Sequence, residues 1–347
     1  MANTASGDKG NPVKKTKIFV LAEVREEYIH PVSFELLHWG RKLLWNSPGE
    51  VVALVLGATL RSTLEELIAY GGDRVEFFTH PNLSVFDAQT HAQVLLPFLR
   101  EEKPDIILAA ATVRGRALMP YLAAQLQTGL TADCTDLALE VKTGLLLQKR
   151  PAIGGNVLAT IKTPHHRPQM STIRPRLQKP LPRDERRTGA ITIHRLESCP
   201  VPRVKRLCLE KKETSTLLED QELIIAGGRG LKHPKNFALL FEIAHLLHGA
   251  VGASRVAVDM GWVSYPHQVG LSGKTVSPKI YLAVGISGTV QHLSGVMNAE
   301  TIIAINKDPQ APIFRVADFG VIGDALEILP HLYRKLKARN DHAVQES

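Results

Sequence analysis

The chain has 347 residues, 44% of them hydrophobic and 22% charged, which is the composition of an ordinary globular protein and enough length for two domains. No apolar run approaches the roughly 20 residues of a membrane-spanning helix, so a spanning protein is excluded. The net charge of +8 suggests a polyanion partner, but residues 162–187 hold eight Lys/Arg against Asp184 and Glu185, in a Pro-rich stretch without base-stacking aromatics, which argues against nucleic acid.

The opening MANTASGDKGNPVKKTK has neither an apolar export core nor an Arg-rich amphipathic pattern. With three cysteines and no CxxC, it predicts a reducing, cytoplasmic setting. Strand and helix patterns then alternate. Apolar β runs are expected at Ile18–Ala22, Val51–Leu56, Arg74–Phe78 and Ile106–Ala110. Helical spacing is expected at Pro31–Trp45, Thr59–Tyr70, Asp87–Glu102 and Ala117–Leu126. Such alternation calls for a mainly parallel sheet flanked by helices.

After Asp133 the period changes to short β pieces at Leu137–Val141, Val157–Ile161 and Ala190–His194. The basic Pro-rich stretch and Ser198–Lys212 then separate a second α/β unit. Two domains are expected, 17–209 and 210–338, the latter a doubly wound parallel sheet. Its expected strands are Leu223–Ala226, Val256–Asp259, Ile280–Val284, Thr301–Ile305 and Ile313–Val316, with helices at Phe237–Leu247 and Asp324–Leu336 and a frayed tail from Asn340.

The strand ends of this second half carry the chemistry. Gly227-Gly228-Arg229-Gly230 follows a strand, where glycines let backbone N–H groups approach a phosphate and Arg229 adds charge. Gly285-Ile286-Ser287-Gly288, with Gln291 and His292 one helical turn on, and Asn306-Lys307-Asp308 close two further strands. Ligands of open α/β sheets sit at such carboxyl ends, so the pattern reads as a dinucleotide pocket lacking a GxGxxG fingerprint. The segment Gly270–Thr275 imitates a phosphate loop without its spacing. No histidine cluster with metal-ligand spacing and no nucleophile with a neighbouring base stands out.

The runs AVGISGTVQHLSG, IIAINKDPQAPIF and ADFGVIGD closely resemble the FAD-binding domain of the α subunit of electron-transfer flavoproteins. The resemblance extends through GGRGLK, VGASRVAVDMGW, QVGLSGKTVSPKIY and, upstream, GLTADCTDL and RPAIGGNVLATI. It covers most of residues 17–338 in family order. It implies one FAD in this chain and a β subunit partner, contacted by the N-terminal domain, that holds AMP or a second FAD.

As cofactor contacts it implies Arg229, Ser254, Arg255, Gln268, Val269, Gly270, Ser272, Gly273, Ser287, Gly288, Gln291, His292, Asn306, Lys307 and Asp324. Within that set, Arg255 lies beside the flavin ring, Ser272 at its N5 edge and His292 at its O2 side. Asn306, Lys307 and Asp324 hold the adenosine part. The charge of His292 stays open. A fixed cation near the ring favours the reduced anionic flavin. The chain has Leu271-Ser272 where the family commonly has Gln-Thr, and Arg176 where it often has Gly.

Two readings follow from the resemblance. One is an electron carrier from flavin dehydrogenases, such as acyl-CoA dehydrogenases, to a quinone oxidoreductase or another acceptor. The alternative is the α subunit of an electron-bifurcating complex that couples NADH oxidation to ferredoxin or flavodoxin reduction and a higher-potential acceptor.

Overall fold

The computed structural model describes residues 15–140, 142–152, 157–200, 208, 218, 221–296 and 299–345. The chain divides into two compact units, residues 1–207 and 208–347. The boundary expected at 209/210 lies outside the described residues.

Unit 1 alternates as its apolar runs predict. It contains β1 (Thr16–Leu21), β2 (Val24–Arg25), β3 (Tyr28–Ile29), α1 (Val32–Leu43), β4 (Gly49–Gly57), α2 (Glu65–Ala69) and β5 (Arg74–Thr79). There follow α3 (Ala88–Glu102), β6 (Ile106–Ala110), α4 (Val113–Leu126), β7 (Leu130–Cys134), β8 (Asp136–Glu140), β9 (Leu145–Pro151), β10 (Leu158–Ile161), β11 (Gln169–Ile173) and β12 (Ala190–Arg195). Seven strands form one all-parallel sheet in the order β12-β5-β4-β1-β6-β11-β7. Ile18, Phe19, Val51–Val55 and Ile106–Leu108 are fully buried along it, as a parallel sheet covered on both faces requires.

The helix ends follow local chemistry. Asp87 caps α3 by accepting from the Thr90 N–H at 2.8 Å, a contact worth about 1 kcal/mol. The helix expected over Thr59–Tyr70 shrinks to α2, with Leu67 and Ile68 buried.

The sequence reading misses β7, β9 and β11, and the reason is polar burial. Gln148 is fully buried; its amide donates to the Met170 carbonyl and to Ser171 Oγ, and accepts from Thr131 Oγ1. Gln169 Oε1 accepts from the Leu146 N–H at 2.7 Å. Fully partnered, these amides join the antiparallel β8-β9-β10 sheet to the main one and break the apolar signature of buried strands. Arg176 adopts the left-handed backbone (φ 64) that glycine would take without strain, and its N–H is held by the Glu35 carboxylate at 2.6 Å.

Unit 2 contains β13 (Leu223–Gly227), α5 (Phe237–Leu246), β14 (Ala250–Ala253), α6 (Arg255–Asp259), β15 (Ile280–Val284), α7 (Val290–Leu293), β16 (Thr301–Asn306), β17 (Phe319–Ile322) and α8 (Ala325–Gln345). Its five parallel strands run in the order β14-β13-β15-β16-β17, a doubly wound sheet whose order reverses between β13 and β15.

Two expected strands are corrected here. Val256–Asp259 is helical, and the strand lies just upstream at Ala250–Ala253. The Val-Ala-Val alternation is that of a one-turn helix: Ala257 is buried, Val256 is exposed, and Arg255 reaches Asp259 four residues on. Ile313–Val316 belongs to a 3-10 turn over Pro312–Arg315, and the strand is Phe319–Ile322. Pro312 starts that turn, and Ile313 is a fully buried plug whose N–H donates to the Ser287 carbonyl at 2.9 Å. The last helix continues through the tail expected to fray, to Gln345. No helix among the described residues is long and apolar enough to cross a membrane.

Candidate functional site

The order of unit 2 reverses where β13 and β15 end, and there the two turns lie flush against each other. The Gly228 N–H donates to the Val284 carbonyl at 2.8 Å and the Gly230 N–H to the Gly285 carbonyl at 3.0 Å. A Cβ on Gly230 would stand 2.6 Å from Gly285 Cα, and Gly285 itself sits at φ 61. Only glycine permits this approach, and it leaves a smooth floor at the strand ends.

A groove of about 710 Å³ opens above that floor, within the usual range for small-molecule sites. Eleven of the expected site residues line it: Arg229, Ser254, Arg255, Val269, Gly270, Ser272, Ser287, Gln291, His292, Asn306 and Lys307. Four cations, Arg229, Lys232, Arg255 and Lys307, face one carboxylate, Asp308, on its walls. That balance suits a pyrophosphate.

Gln268, Gly273, Gly288 and Asp324 do not line the groove; they shape it. Buried Gln268 donates its amide to the Ser272 carbonyl at 3.0 Å and to Ser272 Oγ at 3.1 Å. The Gly273 N–H donates to the Gly270 carbonyl at 2.9 Å, closing the loop. Gly288 is buried against Ile313. Asp324 caps α8 through the Leu326 N–H at 2.9 Å and holds Lys232 at 2.8 Å. The Lys232 ammonium and that N–H together keep its carboxyl below the usual range. Asp324 thus acts on the groove through Lys232, a lining residue that the sequence reading passed over.

Asn306 lines the groove but is also a turn builder. Its amide donates to the Ile286 carbonyl at 2.9 Å and its oxygen accepts from the Asp308 N–H at 3.0 Å. Arg255 is exposed, with Asp259 at 3.3 Å as its counter-ion. Ser254 precedes α6 in extended geometry, and its hydroxyl makes no capping bond.

His292 is 6% exposed. Its Nε2 meets the hydroxyl of fully buried Tyr281 at 2.9 Å. Burial pushes the imidazole down to about 4, only partly opposed by the Val269 backbone, so it is neutral near pH 7. Its Nδ1 is buried beside the Val269 backbone and has no hydrogen-bond partner of full geometry among the described residues, which leaves it available to an acceptor from outside the chain. Tyr281 is absent from the sequence reading. Its apolar strand position gives no sign that it sits beneath a histidine eleven residues on.

The glycine floor, the excess of cations and the unpartnered His292 nitrogen fit a flavin dinucleotide. Among the described residues no cluster of His, Cys, Asp or Glu could hold a metal ion.

Comparison with known proteins accords with this geometry. Residues 18–198 match the electron transfer flavoprotein domain, and residues 217–297 match the electron transfer flavoprotein FAD-binding domain. The chain is 43% identical over 322 residues to an electron transfer flavoprotein subunit alpha of Thermoanaerobacterium thermosaccharolyticum, covering 92% of this chain and 97% of the relative. It is 39% identical to lactate dehydrogenase (NAD(+),ferredoxin) subunit LctC of Acetobacterium woodii, covering 95% and 79%. Protein FixB of Azorhizobium caulinodans is 38% identical, with 93% and 89% covered.

Proposed function

The chain belongs to the electron-transfer flavoprotein family as an α subunit, and from that premise we propose that it is the FAD-carrying half of an αβ electron carrier. FAD binding and electron transfer are properties of the family, and so is pairing with a β subunit. The proposal adds donors and acceptors: electrons arrive from flavin dehydrogenases such as acyl-CoA dehydrogenases and leave to a quinone oxidoreductase or another acceptor. It also adds a division of labour, with residues 17–209 facing the β subunit and 210–338 holding FAD.

Bound FAD supplies the acceptance and release of one or two electrons. The chain's residues bind and tune it. The glycine turns at 228–230 and 285 bring backbone close to the pyrophosphate, and Arg229 and Lys232 neutralise it. Ser272 Oγ accepts from Gln268, so its own proton remains to be donated outward, towards N5 in this reading. Arg255 is the fixed cation beside the ring, and His292 enters the site as a neutral donor. Asn306 and Lys307 flank the adenosine end. The observation that carries the proposal is the cationic, glycine-floored groove at the reversal of the unit 2 sheet.

A second reading is the α subunit of a bifurcating complex, with NADH as donor and ferredoxin or flavodoxin as one acceptor. Similarity to a relative named as an NAD(+)- and ferredoxin-linked lactate dehydrogenase subunit favours it. One experiment separates the two. Purify the chain with its β subunit and count FAD and AMP per heterodimer, then test NADH as donor to ferredoxin. One FAD with one AMP supports the carrier; two FADs with ferredoxin reduction support bifurcation. A heterodimer without FAD overturns both.

A further inference from the structure

The Tyr281–His292 pair lies within unit 2, and the geometry dictates how its protons are arranged. Tyr281 is fully buried on β15, with its hydroxyl 2.9 Å from His292 Nε2. No other hydrogen bond of that hydroxyl is described. A phenol has one proton, and burying it without an acceptor forfeits a full hydrogen bond. If Nε2 carried the imidazole proton, the phenol would accept and its own proton would be stranded. If the phenol donates, Nε2 is the bare nitrogen and both groups are satisfied on that side. The imidazole proton then resides on Nδ1, the buried nitrogen that lies beside the Val269 backbone and that no described residue receives in full hydrogen-bond geometry.

We infer that Tyr281 is a positioning residue that locks His292 as the neutral Nδ1–H tautomer, aiming one N–H donor at an acceptor supplied by the bound cofactor. This rests on the FAD reading above and deepens it. Without Tyr281 the ring could turn over or carry its proton on either nitrogen, and the donor would be present only part of the time. Deep burial of both partners makes the arrangement rigid, because rotating the ring would break the bond in a site closed off from solvent. The loop above closes the cage: the Leu271 N–H donates to the Gln291 carbonyl at 2.7 Å, and a Cβ on Gly270 would stand 2.8 Å from that same carbonyl oxygen. Nδ1–H is thus held beside the Val269 backbone, in a residue that lines the groove, as a fixed donor for a carbonyl-type oxygen, the kind a flavin ring presents.

The test uses the αβ complex labelled with 15N-histidine, alone and with FAD, at pH 7. Long-range imidazole spectra of the wild type are expected to show His292 with a pyrrole-type Nδ1 and a pyridine-type Nε2. Tyr281→Phe is expected to shift that pattern towards Nε2–H or a mixture. It should also weaken FAD binding about tenfold and bring His292 titration into the pH 5–7 range. His292→Ala, in which the tautomer is irrelevant, should show no further weakening when combined with Tyr281→Phe. A wild-type spectrum with the proton on Nε2 overturns the inference, even if Tyr281→Phe does not fold. So does an unchanged tautomer in Tyr281→Phe. If the complex never binds FAD, the functional reading fails instead, while the tautomer of the FAD-free chain still decides the role of Tyr281.

Discussion

The two units present the same architectural opportunity and use it differently. Each has a parallel sheet whose order reverses, between β1 and β6 in unit 1 and between β13 and β15 in unit 2, and such reversals are where open α/β sheets bind ligands. In unit 1 the crevice is filled by its own side chains. Arg114 donates to the Val24 carbonyl and lies 5.4 Å from the Phe86 ring centroid. Glu23 accepts from Thr112 Oγ1 at 2.7 Å and from Arg25 at 2.7 Å. His91 is buried beside Phe86. What remains is a void of about 50 Å³. In unit 2 glycines hold the floor flat, and the groove measures about 710 Å³. Topology offers the site, and the side chains of a few loop residues decide whether it is used.

The comparison can be broken from the unit 2 side first. Gly230→Val places a branched side chain against Gly285, whose Cα would stand 2.6 Å from the new Cβ. Filling the floor is expected to weaken FAD binding by on the order of 100-fold or more, as displacement of a pyrophosphate by about 3 kcal/mol implies. Flavin absorbance per purified heterodimer measures it, with circular dichroism confirming that the sheet persists. Retention of stoichiometric FAD would show that the cofactor does not lie over the glycine turns.

From the unit 1 side, Arg114→Ala should destabilise without touching FAD content. It removes the bond to Val24, the cation over Phe86 and one of the charges that attract buried Glu23, a loss of about 2 kcal/mol. Thermal melting reads the stability and flavin absorbance the content. A loss of FAD equal to the loss in Gly230→Val would mean that unit 1 also serves the cofactor.

Protons sharpen the contrast further. Burial pushes Glu35 in unit 1 up to about 7. Unfolded, the same carboxyl ionises near 4.5, so between those values the native state holds a proton that the unfolded state has lost. Stability from this group therefore falls as pH rises from about 4.5 to 7, and the full penalty is present above 7. Glu35→Gln keeps an acceptor for the Arg176 N–H and removes the penalty. It should stabilise by about 1–2 kcal/mol more at pH 8 than at pH 5. Denaturant titration at the two pH values checks it, and an equal effect at both would place Glu35 in water. His292 in unit 2, held down to about 4, has the opposite sign and weakens the fold as pH falls from about 6.5 to 4.

The smallest effect is the most local. Arg255 is exposed, and its charge is shared with Asp259 at 3.3 Å. Arg255→Ala should lower the FAD potential by on the order of 40 mV, the value of a unit charge a few ångströms away in a wet site. A spectroelectrochemical titration that finds no change would remove Arg255 from the neighbourhood of the ring.

The sequence alone determined the parallel α/β plan, because a strand buried on both faces must be apolar throughout. β1, β4, β6, β13, β15 and β16 carry that mark over most of their length, β5 does so apart from Arg74 and buried Glu76, and all seven fall within two residues of their expected bounds. It also pointed to the strand ends above which the groove opens, since glycine turns and cations gather there. It did not reveal β7, β9 and β11, whose buried Gln148 and Gln169 are satisfied only across strands distant in the chain. Nor did it distinguish α6 from a strand, because Val256-Ala257-Val258 fits both periods over so short a span. Only the tertiary structure placed Tyr281 under His292, turned Asp324 away to Lys232 and the α8 cap, and closed unit 1 with Arg114. Apart from the local α8 cap, each of these is a contact that a side chain makes with a different element. Helical and strand periodicity record which face of an element is buried, and carry no information about which residue of another element it meets.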